Sequence, residues 1–330
     1  MRTEMEPIII PEDKGKRAIF NPTVKIDSTT GEVIMFARGV EKGERISKIL
    51  SLVGTRNGSF SITGEPKIII TPDNELPEIT QKYLEHSQED PRFLDGNRIT
   101  LVGLTKPAYS PGQCAITYLG TVSKDFTTIV VETRLTPVDG RDDRHVFPME
   151  GKNGQFIVFS RPQTQNEKGE YVDFYTQNPS SIYVAQTADI TQRANDRLLF
   201  GPQEWWEGKR IGGFGPSPVK IDEGLLGFYM GIAERDNAYR VGAVLIDATT
   251  LTLRARTPNP LLEPTSELNK LFSPAKYGFG HEAGVVFASG MLLDKGIVHL
   301  YCGYNDLGVV HAQLGLREIL SELDQPSRAV

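Results

Sequence analysis

A strand-like segment that returns five times is the feature that most limits what this chain can fold into. It occurs as Glu32 to Ala37, Arg98 to Leu104, Gln155 to Phe159, Gly224 to Met230 and Gly296 to Cys302, at intervals of roughly 50 to 70 residues. The copies are short and rich in Val, Ile, Leu and Phe, and each follows a polar turn: Thr29-Thr30-Gly31, Asp95-Gly96-Asn97, Lys152-Asn153-Gly154, Asp222-Glu223 and Asp294-Lys295. A second element recurs downstream, a strand ending at Thr55-Arg56-Asn57-Gly58, Ser123-Lys124-Asp125-Phe126, Thr187-Ala188-Asp189-Ile190 and Asp247-Ala248-Thr249-Thr250. Repeats with so little identity are units that cannot bury an apolar face alone and must pack on their neighbours. The pattern predicts an all-β fold, a five-bladed β-propeller, with residues 1–330 forming a single propeller domain. A pair of β-sandwiches is the alternative, and a closed ring fits the repeat count better. Helical periodicity is confined to Glu78 to Ser87 and Leu316 to Leu323.

Charge and cysteine content narrow the function. Acidic residues outnumber basic ones, 42 to 36, for a net charge of -6, which is the wrong sign for a nucleic-acid partner. Cys114 and Cys302 are the only cysteines and read as buried small hydrophobes, not a disulfide framework or a metal site. Met1 to Lys16 carries charge throughout and no stretch approaches a membrane span, so the expectation is a soluble, cytoplasmic protein. Oligomeric state is not readable.

No nucleophile elbow, phosphate-binding loop or zinc motif occurs, and the five histidines are scattered. Catalysis would therefore rest on carboxylates, without metal or organic cofactor. Glycoside cleavage suits such a chain, because it needs a carboxylic acid to protonate the departing oxygen and an attacker on the opposite face of the ring. The sharpest cluster is Glu89-Asp90-Pro91-Arg92: Pro91 restrains Asp90 to extended or turn geometry, and Arg92 is placed to hold the carboxylate. The competing reading is an exposed acidic loop pinned by a local ion pair. Trp205-Trp206-Glu207 is either a stacking platform for sugar rings or inter-blade core with its cover. The loop Lys106 to Gln113 either shapes a leaving-group subsite or is a plain surface excursion.

An ordered series of motifs spans Phe20 to Gln313. It comprises Phe20-Asn21-Pro22, Arg38, Glu89-Asp90-Pro91-Arg92, Val146-Phe147-Pro148, Ser160-Arg161-Pro162 and Ile211-Gly212-Gly213 with Pro216-Ser217-Pro218. It continues through Tyr239 to Asp247, Val285-Val286-Phe287 and Tyr301-Cys302-Gly303-Tyr304-Asn305-Asp306. This series resembles glycoside hydrolase family 130, the β-mannoside phosphorylases and mannosidases, whose fold is a five-bladed propeller. The resemblance implies an inverting enzyme cleaving β-mannosides of the mannobiose or mannooligosaccharide type by single displacement. Asp90 would be the general acid, working through a hydroxyl of the mannosyl ring. Asn21, Arg38, Arg92 and Asp306 would line the sugar site, and Tyr239 and Arg161 would stand near the attacking group. A propeller that binds sugar without turning it over is the alternative from another class.

The attacker is decided by the pocket lining. Phosphate arrives as an anion and needs cations around it; water needs a second carboxylate as base. The resemblance puts an Arg where this chain has Asp142, within Arg141-Asp142-Asp143-Arg144-His145, and a His where it has Met230. Arg161 is kept, and Arg210 stands for a common Lys. Gly284 replaces an Asn that would touch sugar. The balance tilts towards hydrolysis, with Asp142, Asp143 or Glu207 as base and spacing unable to choose among them. Phosphorolysis, with inorganic phosphate as co-substrate releasing mannose 1-phosphate, is the alternative.

Overall fold

The N-terminal strand, β1 (Met5–Ile9), pairs antiparallel with a strand some three hundred residues later in the chain, and this pairing closes a ring of five sheets. The computed structural model describes residues 4–11, 17–44, 46–56, 60–70, 84, 87–94, 96–104, 115–135, 141–148, 155–167, 171–188, 196–278 and 280–325, with 141–148 described by backbone alone.

Blade one is β2 (Arg17–Ile26), β3 (Val33–Glu41), β4 (Ser47–Gly54) and β5 (Phe60–Gly64) in chain order. Blade two runs β7 (Ser87–Phe93), β8 (Arg98–Leu104), β9 (Ala115–Val122) and β10 (Thr128–Arg134), with β6 (Lys67–Ile70) added parallel to β10. Blade three is β11 (Arg141–Pro148), β12 (Phe156–Gln165), β14 (Ile182–Thr187) and β15 (Arg197–Phe200), with β13 (Tyr171–Asp173) on β12. Blade four is β16 (Arg210–Phe214), β18 (Gly224–Ile232), β19 (Tyr239–Ile246) and β20 (Leu253–Arg256), with β17 (Val219–Ile221) on β18. Blade five is β21 (Val286–Asp294), β22 (Ile297–Tyr304) and β23 (Gly308–Gly315), completed by β1.

The five copies of the repeat are the second strands of the five blades: β3, β8, β12, β18 and β22. The second recurrent element is the turn after each third strand, which explains why it appears only four times. Blade five has no fourth strand of its own; β23 runs into α3 (Leu316–Leu323) and β1 takes the vacant edge. The two of these turns described in full hold themselves by Asx bonding: Asp125 Oδ1 accepts from the Thr127 amide at 3.3 Å, and Asp247 Oδ1 from the amides of Thr249 and Thr250 at 2.9 and 2.8 Å.

The apolar core is divided among the blade interfaces. Ile34 and Phe36 of blade one meet Ile99, Leu101 and Ile116 of blade two; Leu119 meets Val158; Phe159 and Ile182 meet Ile211 and Phe214. Phe228 and Val244 face blade five or three in turn, and Met35 and Leu50 meet Tyr301 and Val309. Large side chains on both faces of every sheet are what let sheets pack around an axis and not as two layers. The two-sandwich alternative is thereby set aside.

Two short helices, α1 (Ser266–Leu271) and α2 (Pro274–Tyr277), bridge blades four and five. Thr265 caps α1, its Oγ1 accepting from the Leu268 amide at 3.2 Å. The helix expected at Leu316 to Leu323 is present. The one expected over 78–87 falls largely outside the described residues, and Ser87 itself opens β7. Cys302 is buried in the blade-five core; Cys114 lies outside the described residues. Among the described residues no helix is long and apolar enough to cross a membrane.

Candidate active site

The inner strands β2, β7, β11, β16 and β21 line the axis, and β2 packs on both β7 and β21. Four of them carry a bulge: between Phe20 and Thr23, Glu89 and Arg92, Ile211 and Gly213, and Ala288 and Gly290. A bulge adds one residue, bends the strand and re-aims a side chain. In β2 and β7 the bulged residues are Asn21 (φ 47°) and Asp90 (φ 44°), each followed by proline. Left-handed backbone disfavours most side chains and tolerates Asn and Asp best, so local geometry alone already restricts what can stand at these two positions.

The two bulges face each other. Asn21 Nδ2 donates to Asp90 Oδ1 at 2.9 Å, joining blades one and two at the axis. Gly303 of β22 makes room for this: a Cβ there would stand 2.2 Å from Asn21 Oδ1. Next to Asp90, Glu89 forms an ion pair with Arg38 of β3 and accepts from Ser47 Oγ at 3.3 Å. The Arg38 guanidinium lies 5.0 Å from the centre of the Phe20 ring, so both its charge and its flat face are used. Arg92 is 2% exposed, donates to the Pro91 carbonyl at 2.7 Å and lies over the Phe287 ring at 5.6 Å. It braces the bulge from beneath. The Glu89-to-Arg92 cluster is thus an inner strand and not an acidic surface loop.

Asp306 enters from blade five, on the turn between β22 and β23. Asn305 (φ 52°) and Asp306 (φ 56°) are consecutive left-handed residues, as a tight primed turn requires. Burial pushes the Asp306 carboxyl above its ordinary range, Arg38 and His281 pull it back, and the charge of Asp90 pushes it up again. Asp306 thus has Asp90, Arg38 and His281 as charged neighbours, and its own side chain is partly exposed.

On the His281 side lies a recess of about 390 Å³ lined by Lys209, Arg210, Tyr239, His281, Asn237 and Glu282, among others. Arg210 Nη2 donates to the Tyr239 hydroxyl at 3.4 Å, and the Tyr239 ring meets the His281 ring edge-on at 5.9 Å. Lys209 donates to Asn237. Arg161, on β12, is buried and donates to the carbonyls of Ile211 and Gly212 on the inner strand of the next blade. The structure therefore brings together Asn21, Arg38, Asp90 and Asp306, with Tyr239 and Arg210 on the adjoining recess. His281, Lys209 and Glu282 had no assigned role in the sequence reading. Only the position of His281 just before a matched motif marked it.

Met230 is fully buried in the core below the axis, where it cannot meet an anion. Asp142 and Asp143 lie on β11 opposite Pro162 and Arg161; their side chains, and the loop Lys106 to Gln113, are outside the described residues.

Glu207 corrects an expectation. It is 0% exposed, and its carboxylate accepts from the Tyr229 hydroxyl and from the amides of Gln203 (2.9 Å) and Glu204 (3.1 Å) while pairing with Arg256 at 3.2 Å. Burial raises its pKa against the pull of Arg256. A carboxylate with no surface and every lone pair engaged has no water to activate; it is a structural group. Trp206, also 0% exposed, packs against Gly231 and Gly242 on neighbouring strands, where an added Cβ would stand 2.5 Å from its ring. Trp205 is covered by Arg235 and Arg240, 4.3 and 5.4 Å from its ring centre. Neither tryptophan is a free sugar platform.

Asp90 held by Asn21 beside the Arg38–Glu89 ion pair at the axis of a five-bladed ring, with a cation-lined recess nearby, describes a propeller of the glycoside-acting kind. The sequence model described as β-1,4-mannooligosaccharide phosphorylase matches residues 9–325. The chain belongs to glycoside hydrolase family 130. Among curated relatives, a β-1,2-mannobiose phosphorylase of Listeria innocua serovar 6a is 28% identical over 70% of this chain and 60% of its own length. A 1,2-β-oligomannan phosphorylase of a Thermoanaerobacter species is 24% identical over 96% of this chain and 98% of its own. The solved structure of the Listeria innocua β-1,2-mannobiose phosphorylase with β-1,2-mannobiose superposes with a TM-score of 0.70 at 21% identity, covering 97% of this chain and 99% of that one. A further match comes from work on the GH130 family of mannoside phosphorylases, described as containing hydrolases that target β-1,2-mannosidic linkages in Candida mannan. Its TM-score is 0.67 at 16% identity, over 100% of this chain and 97% of that one.

Proposed function

We propose that this protein cleaves a β-mannosidic bond of a short oligosaccharide by phosphorolysis with inversion. The observation that carries the reading is the recess with Lys209, Arg210, Tyr239 and His281 in its wall, bonded through His281 to the turn that carries Asp306. An anion needs such a lining, and a water molecule does not. That the curated relatives are named phosphorylases supports the same choice over the hydrolysis favoured by sequence.

In this mechanism a phosphate oxygen attacks the anomeric carbon from the recess side. The bond to the leaving oxygen breaks as Asp90 supplies its proton, through a ring hydroxyl, and the product is α-mannose 1-phosphate. Asn21 keeps Asp90 oriented by its 2.9 Å bond. Arg38 is held between Glu89 and Phe20 with its charge towards Asp306, which it stabilises as the anion that grips sugar hydroxyls. Arg161 is buried and ties β12 to β16 through the Ile211 and Gly212 carbonyls. Phosphate is a co-substrate, and the chemistry calls on no metal or organic cofactor.

Hydrolysis keeps a specific argument of its own: Met230 stands buried where an imidazole is common, and Asp142 where an arginine is. One experiment separates the readings. The protein is incubated with β-1,2- and β-1,4-mannobiose, with and without phosphate, and products are followed by NMR. Phosphate-dependent α-mannose 1-phosphate is the expected result. Equal turnover without phosphate refutes phosphorolysis, and binding without turnover in either case indicates a sugar-binding propeller. Asp90→Asn should lower the rate by about 10²- to 10⁴-fold while leaving sugar binding in place.

A further inference from the structure

The segment 280–284 is shaped to present one side chain. Gly280 (φ 110°) runs so close to the β22–β23 turn that a Cβ would stand 2.7 Å from the Asn305 carbonyl oxygen, and Gly284 (φ 85°) is also left-handed. Between them the His281 amide donates to the Asn305 carbonyl at 2.9 Å, and the Gly284 carbonyl accepts from the Tyr239 amide at 3.0 Å. Asn305 is itself fixed, its Oδ1 accepting from the Val285 amide at 2.7 Å and its Nδ2 donating to the Phe272 carbonyl at 3.0 Å. His281 is therefore bolted to the same turn that carries Asp306, while its ring lines the recess against Tyr239.

We propose that His281 is a positioning residue for the attacking anion, standing between the recess and Asp306 so that an anion can enter beside a carboxylate. The inference rests on the phosphorolytic reading above. Its Nδ1 is buried without a hydrogen-bond partner among the described residues, a cost that a small ring movement onto a bound anion or onto Asp306 recovers. The groups around the ring are Asp306, Glu282, Lys209, Arg210 and Tyr239. Glu282 lines the recess itself, and Asp306 lies on the turn to which His281 is bonded. Lys209 also donates to Asn237 and Arg210 to Tyr239, and the imidazole adds to these two cations a group on the Asp306 side, where anion and carboxylate would otherwise meet without a screen. Asp306 already feels His281 as a neighbour that favours its charged form.

The test is a split between the two substrates. His281→Ala and His281→Gln are compared with the wild type under saturating mannobiose with varied phosphate, then under saturating phosphate with varied mannobiose. The expected result is a KM for phosphate raised about tenfold or more in His281→Ala, smaller in His281→Gln, with the KM for mannobiose and kcat within about threefold. A merely structural histidine would lower the melting temperature without moving one KM apart from the other. An unchanged phosphate KM in both variants, or an equal rise in both KM values, overturns the inference while leaving phosphorolysis intact. If His281→Ala does not fold, His281→Gln decides on the same criterion. Phosphate-independent turnover by the wild type overturns the phosphorolytic reading, and this inference with it.

Discussion

His299 of β22 and His311 of β23 offer a quantitative test of the fold. The rings are stacked at 5.3 Å, with Nδ1 of His299 and Nε2 of His311 3.1 Å apart, so one proton bridges them. They sit where the closing strand lands: Glu6 of β1 pairs with His311. The Tyr301 ring lies 4.8 Å from His311, and the Arg56–Asp294 ion pair is the nearest fixed charge. Burial, then the charge of the partner imidazole, depresses His311 to about 4, and burial with Arg56 lowers His299. A depressed imidazole pKa means that the folded state prefers the neutral ring. The stability it contributes is whole above the unfolded value of 6.5 and is lost as pH falls from there towards 4. At pH 5 the unfolded imidazole is mostly protonated and the folded one is not, which costs the folded state about 2 kcal/mol. Urea unfolding followed by tryptophan fluorescence, at pH 7.5 and 5, reads this directly, since Trp206 passes from full burial to water. Wild type should lose about 2 kcal/mol more than His311→Gln between the two pH values. An equal loss in both proteins would refute the assignment.

Other expectations are simpler. Glu207→Gln removes the partner of buried Arg256 and should weaken the fold by about 3 kcal/mol with little change in kcat; a hundredfold fall in kcat in a folded variant would restore Glu207 as a base. Gly231→Ala forces a Cβ to 2.5 Å from the Trp206 ring and should cost about 1–3 kcal/mol in chemical denaturation; unchanged stability would show that the ring has room to move. Asn21→Ala breaks the bond that orients Asp90 and should reduce kcat about tenfold without altering the melting temperature by more than a few degrees, checked by steady-state kinetics and a thermal melt.

Local patterns were legible because they are enforced locally. Thr29-Thr30-Gly31 or Asp247-Ala248-Thr249-Thr250 form turns from their own side chains and backbone freedom, so the strand count and the fivefold repeat could be read directly. Asp90 before Pro91 was expected in extended or turn geometry, and the left-handed bulge that it and Asn21 adopt was not legible, because a bulge depends on register with the partner strand. At Trp205-Trp206 the core-with-cover reading holds over the platform, and Glu207 drops out of the three candidate bases; neither outcome was legible because burial is not a local property. The same residues would serve a sugar site if the loop faced the axis, and here it faces Gly231, Gly242 and Arg256.

Residue order alone sufficed for the recurrent strand segments, their turns and the number of blades. Folding of the whole chain was needed to bring Asn21 of the neighbouring blade onto Asp90, to bond His281 to the turn that carries Asp306, and to complete blade five with β1. Those choices depend on closing a ring across the whole chain. No short stretch of residues encodes the distance between groups that meet only once the first strand has bonded to the last.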